Sequence, residues 1–496
     1  MYKETQSQLS FSDDFFLPFG GKLNKENRWV QLAGMIPWWR AEKKYAKAFR
    51  RKFKGEQAFS VRVALGALII QERQGYTDRE TVLQIQENPY LQYFIGLPAF
   101  TEESPFHHSL MTHFRKRLGP DVINKVNEWI VLEEQGHDSD DNDDDGEGGT
   151  PSNPDADMAG EPETTSQAES PKNKGKLLLD ATCAPADIAY PTDLGLLNEA
   201  REKLEHIIDV LHEPHKGDRP KPRTYRKKAR RDYLSIAKQR KAGAKKIRKA
   251  VGKQLGYVRR DLAIIRELSA SGSSLSRLGK AEYRQLLVIS ELFRQQEEMY
   301  RTKTHRTDHR IVSISQPHVR PIVRGKAKTN VEFGCKVAVS VVDGYVMAER
   351  LDWDNYNEGI TLRDSVEDYR RRFGHYPEAV LADKIYRTRE NLAFCKSLGI
   401  RLSGPKLGRP SKEDSKVQDK LARMDASERN AVEGKIGQGK RRFGLGLIRA
   451  RLQKTSETVV ALQFLVMNLE QKLKVLFCHF SNLIFGVTAR LDFHRI

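Results

Sequence analysis

Two short apolar runs that each end in an aspartate constrain this chain most strongly. Leu177-Leu178-Leu179 precedes Asp180, and Ala379-Val380-Leu381-Ala382 precedes Asp383. Apolar runs of this length are too short for separate helices and are typical of buried strands. A carboxylate at the end of a buried strand is costly unless a basic side chain, backbone donors or a metal ion meets it. We predict an α/β fold in which both strand ends contribute to one metal site.

Glu433 is the third carboxylate that we expect at this site. Arg429 lies four residues before it and Lys440 seven residues after it, so a continuous helix would place all three on one face. Three glycines in this segment weigh against that continuity. Clustered carboxylates raise one another's pKa unless divalent cations neutralise them, and magnesium prefers oxygen ligands. A pair of such ions is typical of in-line attack on a phosphodiester.

Other acids compete for the same roles. Asp425 and Glu428 lie in the same helical segment as Glu433, but cations do not flank them in the same way. Asp187 follows Asp180 closely, but it does not end the apolar run. A solvated helix surface is the alternative interpretation of the segment around Glu433.

The charge balance indicates a polyanionic partner. The chain of 496 residues has 85 basic and 66 acidic residues, for a formal net charge of +19. This balance favours nucleic acid as the partner, with an ordinary basic protein as the alternative. Residues 216–260 are dense in Lys and Arg, interleaved with tyrosines, within a helical insertion at about 190–310. A solvated helix face is the alternative for this run.

Composition shifts divide the chain into four parts. Helical periodicity with a basic face predicts a DNA-binding domain over 1–132, and a plain helical bundle is the alternative. Residues 133–175 contain an acidic, low-complexity stretch that predicts a disordered linker. We expect the catalytic domain over 176–480 and a C-terminal tail over 481–496.

Cysteine usage and hydropathy bear on location. The four cysteines lie far apart without a CxxC pair, which argues against a zinc ribbon and a disulfide framework. The N-terminus shows no basic-then-apolar signal, and polar residues interrupt the apolar stretch over 475–487. We therefore expect a soluble, cytoplasmic protein without a membrane partner.

The segment Arg429-x3-Glu433-x6-Lys440 is similar to the Y-x2-R-x3-E-x6-K signature of DDE transposases from bacterial insertion sequences. Ala426 stands where the signature has its tyrosine, and Ile385 replaces the glycine that commonly follows Asp-Lys. Further segments resemble the insertion sequence family five type of these enzymes; they are residues 87–97, 178–182, 320–326, 331–334 and 382–386.

The resemblance implies an RNase H-like mixed sheet that is split by the helical insertion. Asp180, Asp383 and Glu433 would be the catalytic residues and would hold two Mg²⁺ or Mn²⁺ ions. A water would cut the transposon end, and the resulting 3′-OH would join target DNA. The residues that we expect to bind DNA are Arg429, Lys440, Lys384, Arg324, Lys326, Arg115 and Arg117.

The expected partners are the terminal inverted repeats of an insertion sequence and its target DNA. We also expect a homodimer, associated with the nucleoid of a bacterial cell. Two alternatives remain: a DNA-binding regulator or inactive relic with a degenerate RNase H-like core, and a DNA nuclease that does not transpose.

Overall fold

Helices make up most of the described chain. The computed structural model describes residues 2, 11–17, 20–49, 57–134, 172–323, 331–404 and 414–485. Its α-helices are α1 (Arg28–Gly34), α2 (Trp38–Lys47), α3 (Val61–Gln74), α4 (Asp78–Glu87), α5 (Pro89–Phe94), α6 (Leu110–Glu134), α7 (Asp193–His212), α8 (Arg226–Ala237), α9 (Ala244–Ala270), α10 (Lys280–Thr302), α11 (Leu362–Phe373), α12 (Arg389–Ser397), α13 (Asp414–Arg442) and α14 (Gln453–Phe485).

One mixed sheet lies between these helices. Its strands are β1 (Lys176–Pro185), β2 (Arg320–Val323), β3 (Val331–Val342), β4 (Tyr345–Asp352), β5 (Ala379–Leu381) and β6 (Arg401–Leu402). The strand order is β2-β3-β1-β5-β6, and β4 also pairs with β3. β1, β2 and β4 are antiparallel to β3, whereas β5 is parallel to both β1 and β6. The expected α/β class with a mixed sheet is therefore confirmed.

Local signals in the sequence set several element ends. Ser60 caps α3, and Gly75 ends it in the left-handed conformation with φ 72°. Thr77 caps α4. The turn between β3 and β4 has positive φ at Asp343 and Gly344, which suits a two-residue hairpin.

One local prediction was wrong. Asp180 does not end its strand, because β1 continues to Pro185. The extra residues of β1 pair with β3, and a run of apolar residues alone does not reveal such a partner.

The insertion predicted at about 190–310 is helical. It comprises α7 to α10, with short 3₁₀ turns at Glu213–His215 and Leu275–Arg277. These helices bury a core of their own, which includes Leu204, Ile208 and Val258. The insertion is therefore a packed body that connects β1 to β2.

Helices cover both faces of the sheet. Val432 of α13 and Phe464 of α14 pack on one face together with Leu178. Val366 of α11 and Cys395 of α12 pack on the other face. Among the described helices, none combines the length and the apolar character that crossing a bilayer requires.

The N-terminal helices share a core with α14. Leu462, Leu465 and Leu469 of α14 belong to the same apolar cluster as α3 and α6. Asn468 extends this contact, because its side-chain amide donates to Asn127 Oδ1 at 2.8 Å and to the Val346 carbonyl at 2.7 Å. The last long helix thus joins the N-terminal helices to the sheet.

Candidate functional site

Asp180 and Asp383 lie past the same end of the β1–β5 pairing. The parallel register aligns Leu178 with Leu381, and Asp180 and Asp383 each follow this last aligned pair by two residues. β5 ends at Leu381, so Asp383 lies just past its strand. Its carboxylate accepts the Lys384 N–H at 2.7 Å, which begins a short 3₁₀ turn over Lys384–Tyr386. The parallel register therefore places two of the predicted ligands past the same end of this strand pair.

Arg429 joins the third acid to this pair. Arg429 Nη1 lies 3.5 Å from Asp383 Oδ1, and Arg429 Nη2 lies 3.4 Å from Glu433 Oε1. The side chains of Asp383 and Glu433 are 59% and 56% exposed, so both face solvent. α13 runs without interruption from Asp414 to Arg442, so the continuity on which the placement of Glu433 depended is present.

Asp180 is the most buried of the three carboxylates. Burial raises its pKa, and the N–H of Ala181, which donates to Asp180 Oδ1 at 2.7 Å, opposes that rise. Glu358 and Glu433 also raise the pKa of Asp180, whereas Arg429 lowers it. A site with this charge balance gains stability when a cation binds.

Glu358 is an acid near this site that sequence reasoning missed. It begins a short 3₁₀ turn, Glu358–Thr361, which Asn357 caps. Its carboxylate pairs with the buried Lys336 Nζ at 3.0 Å. The Asn-Glu pair after a strand is a capping signal that the sequence shows. It does not show that the turn folds back towards Asp180.

The competing acids on α13 are engaged elsewhere. Asp425 accepts two hydrogen bonds from Arg401, at 2.6 and 2.9 Å. Glu428 accepts from Lys176 Nζ at 2.8 Å. Asp187 is exposed beyond the end of β1. These contacts leave Glu433 as the acid of α13 that faces Asp383.

α13 runs alongside β1 in the same direction. Glu428 meets Lys176 at the start of β1, and Glu433 faces the Asp180 region. After α13, Ile448 pairs with Ala186, and its N–H donates to the Pro185 carbonyl at 2.7 Å. The chain that carries Glu433 thus follows β1 from its first residue to its end.

The predicted DNA-binding residues have different surroundings. Lys384 is exposed beside Asp383, and Lys440 is half-buried on α13. Arg117 places its guanidinium 4.8 Å from the centre of the Phe49 ring. Arg324 and Lys326 lie outside the described residues.

Arg115 is engaged within the N-terminal helices. Its side chain is 11% exposed and forms an ion pair with Asp78, and it donates to Gln71 Oε1 at 2.6 Å. These bonds tie α6 to α3 and to the start of α4. Its predicted contact with DNA stays a prediction.

The basic run of the insertion lies largely on its surface. The exposed basic residues of α8, α9 and the loop between them include Lys227, Arg230, Arg231, Lys238, Arg240, Lys241, Lys245 and Lys249. Other cations of this run are paired; for example, Lys253 lies 3.0 Å from Asp232. Val251 and Leu255 of α9 are buried, so this segment combines a core face with a basic surface.

By residue type alone, the three predicted ligands suit a hard cation. All three predicted ligands are carboxylates, the oxygen donors that Mg²⁺ and Mn²⁺ prefer. Within the described ranges, no group of three or more His, Cys, Asp or Glu side chains has an arrangement that could hold a metal ion. The Arg429 guanidinium lies between Asp383 and Glu433 and supplies positive charge there.

Two segments of the chain match transposase families. Residues 380–470 match the family described as "Transposase DDE domain", and this range includes Asp383 and Glu433. Residues 18–117 match "Transposase domain (DUF772)".

A Rhizobium meliloti protein, "Uncharacterized protein ORF8 in nfe locus", is 27% identical over 182 residues, which cover 37% of this chain and 73% of that protein. No solved structure matches the chain significantly. The two family matches cover an N-terminal helical segment and the segment that brings Asp383 and Glu433 together. The predicted resemblance to the DDE transposases of insertion sequences is therefore confirmed.

Proposed function

We propose that this protein binds the ends of an insertion sequence, cleaves them and joins the 3′-OH ends to target DNA. One observation carries the proposal. Asp180 and Asp383 each follow the last aligned pair of β1 and β5 by two residues, and Arg429 links Asp383 to Glu433. Antiparallel β3 and β4 on one side of β1, with parallel β5 and β6 on the other, support an RNase H-like core.

Each residue has a role that follows from its position. Asp180, Asp383 and Glu433 would hold two Mg²⁺ or Mn²⁺ ions. Bound there, the ions would activate the attacking oxygen and stabilise the leaving oxygen. Arg429 would then be released from the carboxylates and could contact a DNA phosphate, with Lys384 and Lys440 as further contacts. The exposed cations of the insertion supply a second basic surface for DNA.

The test is metal-dependent cleavage of DNA that flanks the coding sequence. Asp180→Asn, Asp383→Asn and Glu433→Gln should each lower the cleavage rate at least about 1,000-fold, because each removes a ligand charge. Binding of the same DNA, measured in EDTA, should persist.

Glu428→Gln is the matched control on α13. It removes the pairing of Glu428 with Lys176 and should lower thermal stability, yet it should leave the cleavage rate within about threefold. Full cleavage by Glu433→Gln, or loss of cleavage in the control alone, would refute this assignment of the third acid.

A further inference from the structure

A cluster of cations follows the acidic site along the chain. We define the basic rim as Lys440, Arg441, Arg442, Arg449, Arg451 and Lys454, the basic residues over 440–454, a stretch without Asp or Glu. All members except the half-buried Lys440 are exposed. Those five form no ion pair with an acidic side chain within the part of the chain that the structure describes. A solvated rim this rich in positive charge attracts a polyanion.

The loop of the rim is held rigidly. Leu445 and Ile448 are buried at 0% and 1% exposure, between the exposed cations. The Leu445 N–H donates to the Gly439 carbonyl at 3.1 Å, and the Asp187 N–H donates to the Ile448 carbonyl at 3.1 Å. Because its apolar side chains are anchored, the loop presents Arg449 and Arg451 outward from a fixed backbone. Such preorganisation lowers the entropy lost when a partner binds.

The position of the rim relative to the acids follows from the two elements that carry them. From Glu433 to Arg442 along α13 the distance is about 13 Å at about 1.5 Å per residue. From Asp180 to Pro185 along β1 it is about 16 Å at about 3.3 Å per residue. β5 pairs with β1 only as far as Leu178, so the β1–β5 pairing stops before Asp180 in the described chain. The rim therefore lies beyond the acids in the direction in which both α13 and β1 run.

We propose that the basic rim binds the phosphate backbone of the duplex DNA that is cut at the acidic site. This inference rests on the proposed function and adds a substrate contact to it. A distance of about 13 to 16 Å corresponds to about four or five phosphates along one strand. The rim thus contacts the backbone about four or five nucleotides from the cleaved bond, and it sets the direction in which the duplex leaves the site.

Electrostatic surroundings distinguish the members of the rim. Arg449 lies within electrostatic range of Glu72, whose pKa burial raises to about 7. The Arg441 guanidinium lies close to Gly437 on its own helix. Arg442 and Arg451 are exposed without such neighbours among the described residues, so they are the best residues to substitute.

The experiment compares two double variants of the full chain. Arg442→Ala/Arg451→Ala removes two rim charges, and Arg363→Ala/Lys396→Ala removes two exposed charges from α11 and α12 on the other sheet face. The probe is a fluorescent 40-base-pair duplex from the DNA flanking the coding sequence, titrated in EDTA over a range of salt concentrations. The rim variant should bind about ten- to hundredfold more weakly. The negative slope of log affinity against log salt concentration should become shallower by about two. The control should match the wild type.

An equal loss of DNA affinity in both variants would overturn the proposal, because affinity would then follow net charge. Unchanged affinity in both variants would also overturn it, because the DNA would then not contact the rim. Cleavage by the wild type is measured separately at saturating DNA with Mg²⁺, so that binding and cleavage are determined independently. If the wild type binds through the rim but never cleaves, the proposed function fails and the rim stands. If cleavage is normal and binding is independent of the rim, the rim fails alone.

Discussion

The acidic residues of this protein differ in whether a basic side chain pairs with them. Arg429 lies between Asp383 and Glu433, whereas Asp261 in the insertion is buried away from such an ion pair. Asp261 is fully buried, and both of its carboxylate oxygens lack a hydrogen-bond partner among the described residues. Burial raises the pKa of Asp261 to about 8, and nearby Glu205 adds to that rise. Arg201, Arg260 and Arg226 oppose it.

This pKa gives a prediction for stability against pH. The folded protein holds the Asp261 proton more tightly than the unfolded chain, so this group costs stability as pH rises from about 4 to about 8. Asp261→Asn should remove that cost, with a gain on the order of a few kcal/mol at pH 8 and almost none at pH 4. Thermal unfolding at both pH values measures the difference. Asp232→Asn, which breaks the 3.0 Å pair with Lys253, should instead lower the midpoint at pH 8. Equal midpoint shifts for Asp261→Asn at the two pH values would contradict the argument.

Two glycines, one on a strand and one on a helix, differ in the space around them. Gly334 of β3 pairs opposite Pro185 of β1, and a Cβ there would lie 2.1 Å from the Ala184 carbonyl oxygen. Gly434 of α13 has open space where a Cβ would stand. The strands therefore approach too closely for a side chain at one position, whereas the helix accepts one at the other.

Alanine substitutions at these positions should act in opposite directions. Gly334→Ala forces β1 and β3 apart and should cost about 2 kcal/mol or more of stability. Gly434→Ala should gain about 0.5–1 kcal/mol, because alanine favours the helix interior. Thermal unfolding midpoints of the two variants test this, and a stabilising Gly334→Ala would show that the β1–β3 contact is looser than the structure indicates.

At the scale of the whole molecule, α14 connects parts that are far apart in sequence. Its Leu462 and Leu465 lie in the N-terminal core, and its Phe464 and Met467 lie in the core on the sheet. Charge is also distributed unevenly over the whole chain. Residues 137–170, which lie outside the described residues, contain many Asp and Glu but no Lys or Arg, so the remainder is more basic than the total charge of +19 indicates.

The shared core predicts the behaviour of an N-terminal fragment. Residues 1–132 expressed alone should be less helical and less stable than the same segment in the full chain, because the surface that α14 covers would be exposed to water. Circular dichroism and thermal unfolding of the fragment measure this. A second fragment, in which a flexible linker joins residues 453–485 to the first, should regain cooperative unfolding. If residues 1–132 unfold cooperatively without α14, the N-terminal helices are an independent domain.

Features that depend on near neighbours could be predicted from the sequence. Helix caps such as Ser60 and Thr77, the turn at Asp343-Gly344, and the strands before Asp180 and Asp383 were predictable because periodicity and capping act over a few residues. The motif around Glu433 was also visible in the sequence.

Features that depend on long-range pairing could not be predicted from the sequence. In the folded chain, β1 extends beyond Asp180, and Arg115 forms an ion pair with Asp78. Glu358 lies in the electrostatic surroundings of Asp180, and α14 packs among the N-terminal helices. Each of these features joins segments far apart in the chain. The preferences of single segments do not specify their partners, because pairing is determined by the burial and charge balance of the assembled fold.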